Sequence, residues 1–295
     1  MSFEVTQEIV EQLQQAIENC DVSFIQEHLK GVHAADVSLL LSELGVEQAK
    51  YVIHLLEKPV AADILSNMDK DTRDEFFEEC ELKEIASWLD YFESDDAANV
   101  LREMPTRVRE EIILQMSNRE KARNILDLIP FEEDTAGGLM AKELIKANVN
   151  WTIKQTLEEI RIQAQKVEKI LTVYVVDDND VLLGRVSVKQ IIISKDDTLI
   201  KDIYVPDIES VQTFASPEEV VEIMQKYDLE AIPVVNANGQ LVGRITIDDV
   251  VDIMKAQAEA DQQIMSGITE NVEVDDNVWV LSRARLPWLI IGMIG

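Results

Sequence analysis

The sequence predicts an α plus α/β chain: an all-helical, superhelical N-terminal domain followed by a duplicated β-α unit. Three observations carry that prediction. Up to about Pro130 the apolar residues recur at helical spacing and strand signals are nearly absent. A small-residue motif recurs within that half, and the second half contains an ungapped internal match. With 295 residues, 46% of them hydrophobic, the chain can build two ordinary cores.

In the first half, Ile9, Leu13, Ala16 and Ile17 share one helical face, as do Leu39, Leu40 and Leu44. Ala34-Ala35-Asp36, Ala61-Ala62-Asp63 and Ala97-Ala98-Asn99 each lead into apolar residues at helical spacing. Small residues let neighbouring helices approach, and a recurrence of about thirty residues is the signature of helix pairs that bury their faces by stacking. The turns are acidic, with Asp69 and Asp71, Asp74 and Glu75, and Ser94-Asp95-Asp96. Carboxylates there cap free amides and oppose the helix dipole, so Ser94 with its two aspartates reads as a helix N-terminus.

After Pro130 the pattern changes. Leu171–Val176 reads as a strand, Asp177–Asp180 as a turn and Val181–Val188 as a second strand, with a helix through Ile191–Ile193. The order returns as Ala231–Val235, Asn236–Gly239, Gln240–Ile247 and a helix opening at Asp248-Asp249. Val175 and Val234, Leu182 and Leu241, Gly184 and Gly243, Arg185 and Arg244, and Ser187 and Thr246 match at one offset. A capped helix precedes each unit. Thr152 with Gln155 forms one capping box, and Ser216 with Glu219 another, with Pro217 at the first helical position.

The formal charge of −30 excludes nucleic acid and anionic lipid as partners and makes cations the natural counter-partner. Cys20 and Cys80 fit neither a disulfide framework nor a metal finger, which points to a reducing compartment. The N-terminus lacks the basic-then-apolar order of a secretion signal. At the other end, Arg283 and Arg285 precede an uncharged run, Leu286–Gly295, with Trp288 near its entrance. Cations and an aromatic before an apolar run mark a membrane boundary. Ten residues make half of the roughly twenty that a span needs, so the run is expected to begin a membrane helix. No nucleophile–base pair or glycine-rich phosphate loop emerges, and His28, His33 and His54 lie scattered. An enzyme is not expected.

The duplicated unit, with its Ile232-Pro233-Val234-Val235 strand and its Gly243–Asp249 segment, resembles a tandem pair of CBS domains. That resemblance implies clefts for adenine nucleotides, where a hydroxyl and an acid three positions later contact phosphate and ribose. The second module keeps both, as Thr246 and Asp249. The first keeps Ser187 but has Gln190 in the acid's place, and an amide accepts less well from ribose hydroxyls. ATP is therefore a candidate ligand, and a soluble nucleotide-sensing CBS protein is the alternative reading. A structural scaffold built on the helical repeat would not need such acidic surfaces.

The order of the parts is more specific still. An acidic helical repeat, the junction Glu133-Asp134-Thr135-Ala136-Gly137-Gly138-Leu139-Met140, two such modules and the Arg285-Leu286-Pro287-Trp288-Leu289 entrance together resemble the cytoplasmic part of MgtE-family magnesium transporters. The resemblance covers the whole chain. It divides it into an acidic helical domain at 1–130, CBS modules at 131–200 and 201–258, a connecting plug helix at 259–285 and the membrane helix start at 286–295. It implies a homodimer on the cytoplasmic side of the inner or plasma membrane, joined to a pore and sensing Mg2+. By motif, the candidate ligands are Asp63 and Asp95 on the helical domain, with Asn99 standing where a third carboxylate is expected. On the second module they are Glu218, Asp228, Asp249 and Asp252. In the plug linker, Glu259 and Asp261 remain, while Gln257 and Ala260 replace expected acids. Magnesium is usually held by one or two carboxylates and keeps several waters, so dispersed single carboxylates suit it.

Overall fold

The computed structural model describes residues 5–167, 169–251, 253–255 and 258. The expected plug helix and the apolar run lie outside the described residues, as do the candidate ligands Asp252, Glu259 and Asp261. The chain forms two units: one runs to Glu133 and includes Ala141–Glu143, and the other comprises Asp134–Met140 and the chain from Leu144 onward.

The first unit is helical throughout its described residues: α1 (Gln7–Glu18), α2 (Val22–Leu29), α3 (Ala34–Ser42), α4 (Val46–His54), α5 (Lys58–Ser66), α6 (Lys70–Glu78), α7 (Leu82–Leu89), α8 (Ser94–Glu103), α9 (Thr106–Gln115) and α10 (Arg119–Leu128). Short polar residues set the starts. Thr6, Asp21, Asp69 and Asn118 accept amide hydrogen bonds from the first turns of α1, α2, α6 and α10, and Pro59 sits in the first turn of α5. After α1, which packs on α2 and α4, packing skips one helix: α3 on α5, α5 on α7, α7 on α9, α4 on α6 and α8 on α10. This is the stacking that the recurring motif predicts, and Ala61, Ala62, Ala97 and Ala98 are buried where helices meet.

Polar rungs tie successive repeats at a constant separation. Gln26 Nε2 donates to Leu55 O at 2.9 Å, Ser38 Oγ to Asn67 O at 3.1 Å and Lys121 Nζ to Phe92 O at 2.6 Å. Lys50 Nζ donates to Glu79 O. In each case the partners are 29 residues apart. A carbonyl left over near a helix end is thus met by an adjacent repeat, as the open ends of short helices require. The helix N-terminus expected at Ser94 is found: α8 opens there with Asp95 and Asp96 in its first turn, Glu93 holds the cap position, and the Ser94 hydroxyl donates to Glu143.

The second unit begins with the short α11 (Ala136–Leu139) and contains two sheets. In the first module β1 (Ile145–Asn148) lies parallel to β2 (Val173–Val176), with α12 (Ile153–Gln163) as the crossover. Then β2 pairs antiparallel with β3 (Leu182–Val186), and after α13 (Val188–Ile193) β4 (Val205–Pro206) closes the edge. The second module repeats this with β5 (Val211–Gln212) parallel to β6 (Ala231–Val235), α14 (Pro217–Tyr227) as crossover, and β7 (Leu241–Thr246) antiparallel to β6. Residues 247–251 are again helical. Thr152 and Gln155 form the expected capping box, and Ser216 accepts from the Glu219 amide at 3.3 Å.

The internal repeat extends to hydrogen bonds. Asp177 Oδ1 accepts from the amides of Asn179 and Val181, and Asn236 Oδ1 accepts from Asn238 and Gln240. The two turns then pair with each other: Leu182 N donates to Gly239 O at 3.0 Å, and Leu241 N to Asp180 O at 2.9 Å. Asp180 and Gly239 both have positive φ, +61° and +76°. Each of these bonds in one module thus has its counterpart in the other, the mark of a pseudo-two-fold. Strand β2 is buried on both faces: Val173 and Val175 enter the first module's core, while Tyr174 and Val176 pack with Leu241 of the second.

Candidate metal and nucleotide sites

Of the proposed ligands on the helical unit, Asp63 lies exposed in α5, where its Oδ1 accepts from Asn67 Nδ2 at 3.3 Å. Asp95, in the first turn of α8, is only 5% exposed. Asn99 and Arg102 follow it on the same helical face, one and two turns on. Arg102 Nη1 donates to Asn99 Oδ1 at 2.5 Å, and Nη2 to Leu128 O at 2.8 Å.

On the second module Glu218 stands exposed in the first turn of α14. Asp228 ends that helix in the left-handed region, φ 52° and ψ 53°, with its side chain exposed. A non-glycine residue there is uncommon, and Asp and Asn are among those that tolerate it. Asp249 is partly buried, and Oδ2 accepts from both the amide and the hydroxyl of Thr246 at 2.8 Å. Burial raises its pKa to about 6, against the Thr246 hydrogen bonds that pull it down. The structure thus brings Thr246 and Asp249 into direct contact. In the first module Ser187 caps α13 by accepting from the Gln190 amide at 3.1 Å. Among the described residues no three or more His, Cys, Asp or Glu side chains gather where they could hold a metal.

A small cleft lies among Lys169, Thr172, Tyr174, Ala231 and Arg244. The Tyr174 hydroxyl is buried and has no hydrogen-bond partner among the described residues, and burial lifts its pKa well above the ordinary tyrosine value. A phenol with a cationic neighbour, Arg244, suits an anionic or polar ligand.

One polar cluster has no signal in the sequence. Glu143 is 5% exposed at its side chain and pairs with Lys121 Nζ at 2.5 Å, itself 11% exposed. Its other oxygen accepts from Ser94 Oγ at 2.7 Å and Ser94 N at 3.1 Å, while Lys142 N donates to Ser94 Oγ at 2.8 Å. Burial pushes the Glu143 pKa up, but Lys121 and the Ser94 hydrogen bonds outweigh it and hold the carboxyl below its usual range. The cluster pins Ala141–Glu143 to α8 and α10. Only an ion pair across 22 residues reveals it, and such pairs follow no period. Cys80 offers no nucleophile, since burial pushes its thiol up to about 12.

The family model for the MgtE intracellular N domain matches residues 32–134, and the CBS domain model matches residues 136–195 and 200–256. A magnesium transporter MgtE of Thermus thermophilus is 31% identical over 294 residues, 95% of this chain and 63% of that protein. One of Enterococcus faecalis is 34% identical over 58% of this chain and 38% of its own length. The chain therefore spans less than two thirds of these relatives. The crystal structure of the cytosolic domain of the Mg2+ channel MgtE in complex with ATP superposes with a TM-score of 0.76 at 30% identity, covering 83% of this chain and 99% of that one. The soluble part of a magnesium transporter gives 0.77 at 25% identity, covering 85% and 99%. No helix among the described residues is long and apolar enough to cross a membrane. With an N domain and a CBS pair in the same order, and that order reproduced in three dimensions, the chain belongs to the MgtE family.

Proposed function

We propose that this chain is the magnesium-sensing regulatory region of a magnesium transporter or channel, not an enzyme. In a homodimer, Mg2+ bridges the acidic helical domain and the second CBS module and so favours the closed pore, which lies elsewhere in the protein. The observation that carries this reading is the match of both domains, in order, to the cytosolic domain of an MgtE channel. Charge supports it: acidic bodies repel when bare and share an ion when it is abundant. A magnitude supports the use of several weak sites. An ion at ten times its dissociation constant stabilises the bound state by about 1.4 kcal/mol. Moving a gate from mostly open to mostly closed takes about 5.5 kcal/mol, so about four such sites are enough.

The candidate ligands are Asp63, Asp95, Glu218, Asp228 and Asp249 among the described residues, with Asp252, Glu259 and Asp261 beyond them. Dimerisation draws support from the second unit's exposed apolar residues. Ile247, Val251 and Met254 are 42%, 41% and 40% exposed at helical spacing, and Ile192 and Ile193 on α13 are 68% and 66% exposed. Such residues on a chain this acidic fit a second copy better than water. ATP is the proposed modulator, by similarity to the ATP complex, with Thr246 and Asp249 offering the hydroxyl and the acid and Ser187 the hydroxyl of the weaker cleft.

Small-angle scattering of the chain with and without millimolar Mg2+ tests the reading. A smaller radius with the ion is expected, and an identical radius refutes it. Calorimetry with ATP against Mg2+ separates this reading from a nucleotide sensor: binding of ATP with no response to Mg2+ would favour the alternative.

A further inference from the structure

We infer that Arg102 is a tethered cation that competes with Mg2+ for the negative field around Asp95, so that the helical unit's share of the magnesium response is weakened from within. The inference rests on the magnesium-sensing reading and deepens it for one site.

Asp95, Asn99 and Arg102 occupy one face of α8 at spacings of four and three. Side chains on a helix lean toward its N-terminus, so a long arginine two turns along points back over Asn99 toward Asp95. The contacts agree with that direction. Nη1 reaches Asn99 Oδ1 at 2.5 Å, while Nη2 is held by Leu128 O at 2.8 Å on the neighbouring α10 segment. The guanidinium is half-buried, and Asp95 and Glu133 are the carboxylates whose field acts on it. Two anchors fix its head, so the charge is held in place and does not sample solvent as a surface arginine would.

The consequence is electrostatic. A divalent ion approaching Asp95 meets a fixed positive charge one or two turns away. At about 6 Å and the dielectric constant of water, a +1 and a +2 charge repel enough to change affinity about tenfold. Asn99 contributes to the same end, because a neutral amide can hold the guanidinium without adding charge to attract an ion. The pair Asn99–Arg102 thus does by covalent attachment part of what a bound ion would do.

Calorimetric titration of the 295-residue chain with Mg2+ tests this, using Arg102→Gln, Arg102→Lys, Asn99→Asp and Asp95→Asn/Arg102→Gln. Arg102→Gln should bind Mg2+ about tenfold more tightly at its affected site, while Arg102→Lys, which keeps the charge, should match the parent. The gain should vanish in Asp95→Asn/Arg102→Gln. Equal affinity of Arg102→Gln and parent, with Asp95→Asn/Arg102→Gln weaker than either, overturns the role of Arg102 and leaves magnesium sensing standing. Absence of Mg2+ binding by every variant overturns both. Should Arg102→Gln fail to fold, Asn99→Asp decides alone. Arg102 should neutralise the added carboxylate and leave affinity within about twofold of the parent, and a tenfold gain would contradict the inference.

Discussion

Glu143→Gln is the substitution whose effect the structure determines most directly. It removes one charge from a pair in which both side chains are nearly inaccessible, 11% at Lys121 and 5% at Glu143. Breaking a buried pair from one side costs about 3–5 kcal/mol, because the remaining charge stays buried. Two features pull toward the lower end. A glutamine carbonyl can still accept from Ser94, and Lys121 keeps its bond to Phe92 O at 2.6 Å. About 3 kcal/mol is therefore expected, which for a helical unit of this size lowers its melting temperature by about 10 °C. Scanning calorimetry of parent and variant measures it. Lys121→Met/Glu143→Leu is the control: replacing both partners by apolar groups of similar volume is often neutral, so the double variant should recover most of the loss. A Glu143→Gln variant that melts with the parent would refute the account of this cluster. The pH dependence follows with a definite sign. The folded carboxyl has a lowered pKa, so its contribution is present above the ordinary glutamate value and is lost as pH falls below it.

Three further outcomes are expected. Gly184→Ala should destabilise the first module, since an added Cβ would lie 2.1 Å from the backbone oxygen of Val205 and 2.9 Å from the Tyr204 ring; unchanged thermal unfolding would contradict the tight β3–β4 approach. Asp95→Asn should shift the Mg2+ midpoint of dimer compaction without abolishing the response, as expected when several weak sites share the task, and an unchanged midpoint by scattering would remove this residue from the set. The Mg2+ midpoint should also rise on acidification through about pH 6, where Asp249 takes up a proton and ceases to be a ligand, and Asp249→Asn should flatten that part of the profile.

The fold was legible where a period or a copy wrote it into the sequence. The alanine pairs before apolar residues foretold the stacking of helices, and the 29-residue rungs give that repeat its physical length. The match of Val175 with Val234 foretold the second module, while the pairing of the turns at Asp180 and Gly239 emerged only from the structure. Strand limits were less legible: Leu171 and Thr172 precede β2, and Gln240 and Ile247 fall outside β7, because apolar or β-branched residues continue past the last ladder bond. The start of α8 at Ser94 was legible from its two aspartates, but the use of the Ser94 hydroxyl was not: it donates to Glu143, 49 residues away. Local rules cannot anticipate a partner supplied by a distant strap, and Lys121 and Arg102 were missed on the same ground.

The same contrast bears on how the candidate ligands divide. Asp63, Glu218 and Asp228 are exposed, so an ion reaches them at little cost in desolvation. Asp95 and Asp249 are not: the first is nearly buried, and the second is already engaged with Thr246. A carboxylate stripped of part of its hydration resists ionisation, as the raised pKa of Asp249 records against the downward pull of its Thr246 hydrogen bonds. An ion binding at Asp249 would have to displace a proton or a Thr246 hydrogen bond. Under the proposed function, exposed carboxylates would set how many ions gather, whereas the two sheltered ones would couple that gathering to structure. If so, Asp63→Asn should weaken binding and leave the extent of compaction at saturating Mg2+ unchanged, while Asp249→Asn should reduce the extent itself. Equal effects of both substitutions on the saturated radius would remove the distinction.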